Sequence, residues 1–285
     1  MEEQEIRGFW DSHPCGEHLV GRLSERDRGG YEQFFNRYDA FRYKLEGHIP
    51  ACLDAIPFAG KQVLEIGLGQ GADAEQIVRR GARWSGLDLT PESLARVRMR
   101  FELRGLPFED LRLGSALSIP YADHAFDIVY SHGVLHHVPQ IREAQKEIAR
   151  VLKPDGQLIV MLYARWSLNY VLSIAVVRRL GLLALWAAKW APAGIHAQHL
   201  QQAREVGLLR YLRLSRFIHA NTDGPQNPFS RVYDLQRVRR DFPSFRVIKA
   251  YKRFMHAPPL PVRLLPLGGL LGWHLWVHLR PLEAG

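Results

Sequence analysis

The stretch Val63 to Asp73, VLEIGLGQGAD, sets an acid, Glu65, ahead of three glycines, Gly67, Gly69 and Gly71. Residues without side chains let a backbone approach a ligand closely, and a tight turn alone would need one glycine, not three. A second acid, Asp88, follows at about the spacing of a ribose-binding carboxylate, so the chemistry on offer is the holding of a nucleotide-type cofactor. Gly67, Gly69 and Ala72 also satisfy the dinucleotide pattern G-x-G-x-x-G/A. NAD and S-adenosylmethionine both carry a ribose, and both stay open at this point. Glu65 favours the second. An acid there can order the loop and a cofactor's amino end, whereas a pyrophosphate would gain nothing from that charge.

The elements that must position these residues follow from the local pattern. Lys61 to Gly67 is a short apolar run with β-branched members, as in a strand buried on both faces. Ala72 to Gly81 reads as a helix, with two acids in its first turn, two arginines in its last and a closing glycine. The glycines therefore occupy a strand-to-helix turn, where a ligand sits over the helix N-terminus. The next strand, RWSGLDLT (Arg83 to Thr90), carries Asp88 at its tip.

Further along, GSALSIPYADHAFDIVYSHGVLHHVP (Gly114 to Pro139) and IARVLKPDGQLIVMLY (Ile148 to Tyr163) follow in order. With the glycine turn and GLDLT, roughly residues 60 to 163 resemble the class I S-adenosylmethionine-dependent methyltransferases. The likeness lies in a G-D-A-like segment, an F-D-x-V strand, a V-L-H-H turn and an L-K-P-G-G-like hairpin. It implies an α/β, Rossmann-like, doubly wound seven-stranded sheet with an antiparallel last strand, plus N-terminal helices and a helical cap after the fifth strand. The corresponding division is an N-terminal helical lid at 1–58, a cofactor-binding core at 59–163, a basic cap at 164–243 and C-terminal strands at 244–285. The resemblance places Glu65, Gly67, Gly69 and Gly71 at the methionine end of S-adenosylmethionine, Asp88 on its ribose hydroxyls and Leu89 on its adenine. Ser115 and Ala116 fall where the family has Asp-Ala, so a neutral hydroxyl stands in for the acid that binds the adenine amino group, without charge assistance. Ser131 and His132 should flank the sulfonium.

A sulfonium methyl is already electrophilic, so the protein's task is to align a nucleophile and exclude water. A hydroxyl acceptor also benefits from a base, and O-methylation is the favoured reading, with S-adenosylhomocysteine as product. His136 and His137, on the turn after the fourth strand, are the candidates for that base. Tyr38, Arg42 and Tyr43, on an aromatic-rich helix before the first strand, are candidates for the cofactor carboxylate or the acceptor. Trp166 and Tyr170 in the cap, with Asn227, Arg231 and Tyr233 in the turn-rich loop that follows, are candidates for the acceptor.

Charge divides sharply along the chain. Residues 1–163 hold 20 Lys/Arg against 24 Asp/Glu, whereas residues 164–263 hold 17 against 4, a net of +13. Such an excess attracts an acidic partner: an anionic small molecule, a lipid surface or nucleic acid. The turn SHGVLHH is not the Asn-Pro-Pro-Tyr type of base-amine methylating relatives, and no RNA-binding module is recognisable, which argues against nucleic acid. The expected acceptor is therefore an apolar, anionic or lipid-like metabolite, the setting natural-product tailoring. The cap's Leu- and Trp-rich helices, from Ser167 to Trp190, make peripheral membrane contact a further expectation. Arg178 and Arg179 interrupt that pattern, leaving neither apolar run at the 18 or so residues of a membrane span. Cys15 and Cys52 give no disulfide framework and the acidic N-terminus is unlike a secretory signal, so a reducing cytoplasm is expected. Cys15 has His13 and His18 nearby, but at no zinc-site spacing, and no metal is expected.

Overall fold

The protein is described here by a computed structural model covering residues 3–189 and 192–282. Trp190, the last residue of the apolar cap pattern, lies outside the described residues. Seven strands form one sheet: β1 (Gln62–Ile66), β2 (Arg83–Asp88), β3 (Asp110–Leu113), β4 (Phe126–His132), β5 (Leu152–Tyr163), β6 (Phe245–Arg253) and β7 (His274–Pro281). Their order is β3-β2-β1-β4-β5-β7-β6, with β1 to β5 parallel and β7 antiparallel to both neighbours. This is the α/β, Rossmann-like arrangement that the family resemblance implies. Order reverses between β1 and β4, and a ligand crevice opens above the strand ends at such a point.

Because side chains alternate along a strand, the sheet feeds two apolar layers. Val63, Ile128, Tyr130, Ile159, Met161 and Trp276 fill one. Leu64, Ile66, Val129, Leu158, Val160 and Val277 fill the other. The central strands are buried on both sides, which explains why β1 and β4 read as continuous apolar runs rather than alternating ones. The segment Lys153 to Gly156 lies within β5, where the register against β4 jumps, so the expected hairpin is an irregularity in the ladder.

The helix Arg28–Leu45 starts at Asp27, whose side chain accepts from Gly30 N. Its aromatic face packs on the helix Pro91–Arg104, with the Arg96 and Arg100 guanidiniums 5.3 and 4.4 Å from the Phe34 and Phe35 ring centres. Arg100 is fully buried and paired with Asp39 and Glu75 at 2.8 and 2.9 Å. This cation is satisfied on two sides, so the helix is held in one place over the sheet edge.

The cap after β5 departs from expectation in one respect. Arg178 and Arg179 do not break the apolar pattern into two elements: Asn169–Ala187 is one continuous 19-residue helix, long and apolar enough by length and composition to cross a membrane. The charge is accommodated by turning Arg178 inward, onto the carbonyls of Pro258 and Asn221. The helices Ile195–Val206 and Leu214–Ala220 follow, and Leu200, Phe217 and Ile218 join the first apolar layer.

Candidate active site

A cavity of about 450 Å³ opens over the C-terminal ends of β1, β2 and β4. Gly67, Gly69 and Gly71 all have positive φ, at 79°, 52° and 74°. A Cβ on Gly67 would lie 2.2 Å from Val134 Cγ2, so this position needs both the conformation and the space. At Gly69 only Cys15 comes within 4 Å, which leaves a cradle facing the cavity. Gly71 is not part of the lining; its Cβ would press on Val97 and Arg100, and its role is the left-handed start of the helix Ala72–Arg79. Asp88 fixes the turn from below. One carboxylate oxygen accepts from Leu68 N at 2.7 Å, the other from Thr90 N and Oγ1 at 2.8 and 2.9 Å. Burial raises its pKa above the usual carboxylate value despite these bonds. Lone pairs remain for a ligand hydroxyl, and Asp88 and Leu89 both line the cavity. Asp88→Ala is expected to weaken S-adenosylhomocysteine binding about tenfold to a hundredfold by calorimetry, the loss of a charged hydrogen bond plus a disordered turn. Unchanged affinity would remove Asp88 from the ribose site.

A second corner is built around Arg42. Its guanidinium meets Asp73 Oδ1 at 2.8 Å and Glu46 at 3.3 Å, and Tyr38 Oη lies 3.5 Å away. Tyr130 donates to the other Asp73 oxygen at 2.9 Å. Burial pushes the Asp73 carboxyl up, but the Arg42 charge and the hydrogen bonds from Arg42 and Tyr130 outweigh it and hold it below its usual value. Glu65 accepts from Trp84 Nε1 at 2.9 Å; burial and the charge of Asp73 raise it well above the usual range, which favours its neutral form. Burial lowers His132 to about 3, so its imidazole is neutral. Among the described residues, Arg42 Nε and His132 Nε2 are buried without a hydrogen-bond partner. A donor and a neutral ring nitrogen left open beside the glycine cradle fit the amino-acid end of S-adenosylmethionine. Tyr43 and Ser131 do not reach this corner. Tyr43 donates to Ala72 O at 3.2 Å, and buried Ser131 donates to Ile66 O at 3.0 Å, tying β4 to β1.

At the opposite end Gly114 and Ala116 line the cavity, but Ser115 does not. Its hydroxyl donates to the carboxylate of Glu3, on the helix Glu3–Ser12, and Glu3 itself faces the cavity. A carboxylate thus stands beside Ser115 where the family has its acid, and Ser115 orients it. Glu3→Gln is expected to weaken binding of adenosine-containing ligands about tenfold, more than Ser115→Ala does, because only the first removes a charged acceptor. Titration of both variants with S-adenosylhomocysteine checks this; the reverse ranking would return the adenine contact to Ser115.

The third corner is the turn after β4. His137 and His136 are adjacent, yet only His137 faces the cavity. Its Nδ1 donates to Phe229 O at 2.7 Å, with Ser230 Oγ at 3.1 Å, and its Nε2 lies 3.3 Å from Asp223 Oδ2. Tyr163 donates to Asp223 Oδ1 at 2.9 Å. Burial raises the Asp223 carboxyl, but His137, Tyr163 and Thr222 together lower it below its usual value, so it is an anion. Trp10 packs its ring on His137 at 5.1 Å, which puts the N-terminal helix over both the adenine and the histidine ends. His136 is not a base candidate in this geometry. It is fully buried, packs tilted against the Tyr163 ring with ring centres 3.8 Å apart, and neither ring nitrogen has a hydrogen-bond partner among the described residues.

The acceptor candidates drawn from the cap do not line the cavity either. Trp166 is exposed at the surface, and Tyr170 packs against the first apolar layer. Asn227 is buried and donates to Thr222 Oγ1 and Ser230 Oγ, shaping its own loop. Tyr233 is buried in the second layer. Arg231 lies 3.5 Å from Asp241 and stacks on Phe229, its charge neutralised away from the cavity. The loop instead presents Thr222 and Asp223, and Arg263 is the cation that the basic segment contributes to the lining.

Residues 64–160 match the family described as "Methyltransferase domain". Over 208 residues the chain is 30% identical to the probable phthiotriol/phenolphthiotriol dimycocerosates methyltransferase 2 of Mycobacterium ulcerans, covering 71% of this chain and 67% of that one. The chain belongs to the class I S-adenosylmethionine-dependent methyltransferases. Membership sets aside the dinucleotide reading of the glycines. The methyltransferase is also 31% identical over 144 residues to the ubiquinone biosynthesis O-methyltransferase of Maricaulis maris, half of this chain and 54% of that protein. It thus spans about half the length of that relative. The fold is shared with an S-adenosylmethionine-dependent methyltransferase of Aquifex aeolicus, at 12% identity and a TM-score of 0.53 over 90% of this chain and all of that one. A Mesorhizobium loti counterpart gives 15% and 0.53 over 81% and 96%.

Proposed function

We propose that this methyltransferase moves the methyl group of S-adenosylmethionine to a hydroxyl of a small, largely apolar acceptor. The observation that carries the reading is one cavity bounded by the glycine turn and Asp88 at one side and by Asp223 and His137 at another. Bound S-adenosylmethionine would supply an electrophilic methyl group and leave as S-adenosylhomocysteine. Asp88, Glu3 and Arg42 with His132 would hold its ribose, adenine and amino-acid ends. The Asp223–His137 pair would take the proton of the acceptor hydroxyl as its oxygen attacks, and Tyr163 keeps the carboxylate aimed. Trp10, Ile6 and Leu19 close the cavity against water. The named relatives act, by their names, in ubiquinone biosynthesis and on phthiotriol dimycocerosates, which supports a hydroxyl on a lipophilic molecule. An acceptor carboxylate or phosphate would meet Arg263. The test is transfer of label from methyl-labelled cofactor to a panel of apolar phenols, secondary alcohols and matched amines. Amines methylated faster than every hydroxyl compound would overturn the reading.

A further inference from the structure

Of the helix Asn169–Ala187 only Asn169, Ser173, Ile174 and Leu182 are buried in the fold. Its outward side carries Val171, Leu172, Val176, Leu180, Leu183 and Trp186, all exposed. A surface helix of a soluble protein keeps its outer side polar, whereas this one is apolar on its outer as well as its buried side. A second exposed apolar stretch lies beside it. Leu264 is 97% exposed, and Leu265, Leu267 and Leu270 accompany it. The two are joined physically. Ser173 and Arg178 both donate to Pro258 O, and Leu168 packs with Met255, Val262 and Leu271 beneath them. Together they form a patch larger than scattered surface leucines would give.

The charge around the patch indicates what covers it. Residues 165–220 hold eight Lys/Arg and one acid, Glu205, and Arg204, Arg210, Arg213 and Arg216 are exposed. Trp166 and Trp186 are exposed at its margins, where an amphipathic ring suits the boundary between headgroups and acyl chains. A protein partner would need the apolar side matched and the arginines paired one by one. A bilayer with anionic headgroups satisfies both without specific geometry. We propose that this face docks the methyltransferase on an anionic phospholipid surface, the helix lying in the interface rather than crossing it. Crossing is opposed by its inner side: Ser173, Ile174 and Leu182 are buried in the domain and Arg178 bonds Asn221 O at 2.8 Å. Leu264 adjoins Arg263, which lines the cavity, so docking turns an edge of the cavity toward the lipid. Delivery of an apolar acceptor by that route rests on the function proposed above; the docking does not.

The experiment is flotation of the full chain with vesicles of phosphatidylcholine alone or mixed with phosphatidylglycerol, followed for the wild type, Leu180→Glu and Leu264→Glu. The wild type is expected to float with the anionic vesicles far more than with neutral ones. Each variant should partition about tenfold less, the weight of one buried leucine, while binding S-adenosylhomocysteine as the wild type does. No turnover is measured, so failure here is separable from failure of the acceptor assignment. A protein that floats with neither vesicle overturns the proposal, as does flotation that both variants leave unchanged. A dimer that Leu180→Glu dissociates, with no flotation, overturns it in favour of a second copy of the chain.

Discussion

Asp223→Asn and His137→Gln are each expected to lower kcat with a hydroxyl acceptor about 10²- to 10⁴-fold, the usual weight of a positioned base. The two groups act as one unit. Nδ1 of His137 faces a carbonyl oxygen and so carries a proton, and Nε2 faces the Asp223 carboxylate at 3.3 Å. An acceptor entering the pair meets the Asp223 carboxylate, an anion held below its usual pKa by its neighbours. Asparagine keeps the shape and the bond from Tyr163 but cannot take a proton. The double variant should therefore cost little more than either single one. Cofactor affinity should change less than about twofold, because neither residue belongs to the glycine turn or the Arg42 corner. His136→Asn serves as the contrast: it perturbs the packing on Tyr163 without removing a group that faces the cavity, and kcat should fall far less. Single-turnover rates at saturating cofactor separate these cases. Equal losses for His136→Asn and Asp223→Asn would reduce the pair to a structural one.

Physical reasons divide what was legible in the sequence from what was not. The glycine turn and the Asp88 tip were readable because each depends on neighbours in the chain, whereas the strand order came from the family resemblance. Gly67 needs its φ, β1 needs apolar residues on both sides, and Asp88 stands one strand on. Residues brought in from afar were not readable. Glu3 reaches Ser115 across 112 positions; Arg42 was readable as a candidate, but its pairing with Asp73 across 31 positions was not. Asp73 itself lay in plain view in GQGAD, where its place in a helix's first turn explained it well enough to hide its burial against Tyr130. For the loop after the cap, composition pointed to the right stretch and the wrong members. Asn227, Arg231 and Tyr233 are spent on holding the loop, and Asp223, in the turn pair Asp-Gly, is presented. The apolar stripe on Asn169–Ala187 was also misread, because two arginines look like an interruption until one of them is seen to turn inward.

Acidification is expected to unfold this protein well before the carboxylates titrate, at about 1.4 kcal/mol per pH unit for each net proton taken up on unfolding. Burial holds His132 at about 3, and it holds His136 and His274 well below the ordinary value of a histidine. His199 and His278, also buried, are lowered to about 4. An unfolded histidine takes a proton near pH 6.5. Between there and the depressed folded values the unfolded chain binds more protons, so stability falls as pH falls, starting near 6.5. Asp73 has the same sign further down, its contribution being lost as pH drops through its lowered value. Glu65 and Asp88 oppose the trend, since their raised values let the folded state take up protons first. With Glu46, which burial also raises, three such carboxyls stand against eight lowered histidines, His48, His219 and His256 included, and the histidines win. Urea unfolding at pH 7, 6 and 5 should therefore show a steep loss, and His136→Phe, which keeps a ring in the slot against Tyr163, should flatten it by about 1.4 kcal/mol per unit. A profile that is flat from pH 7 to 5, or unchanged by His136→Phe, would mean that these rings are reached by water in solution.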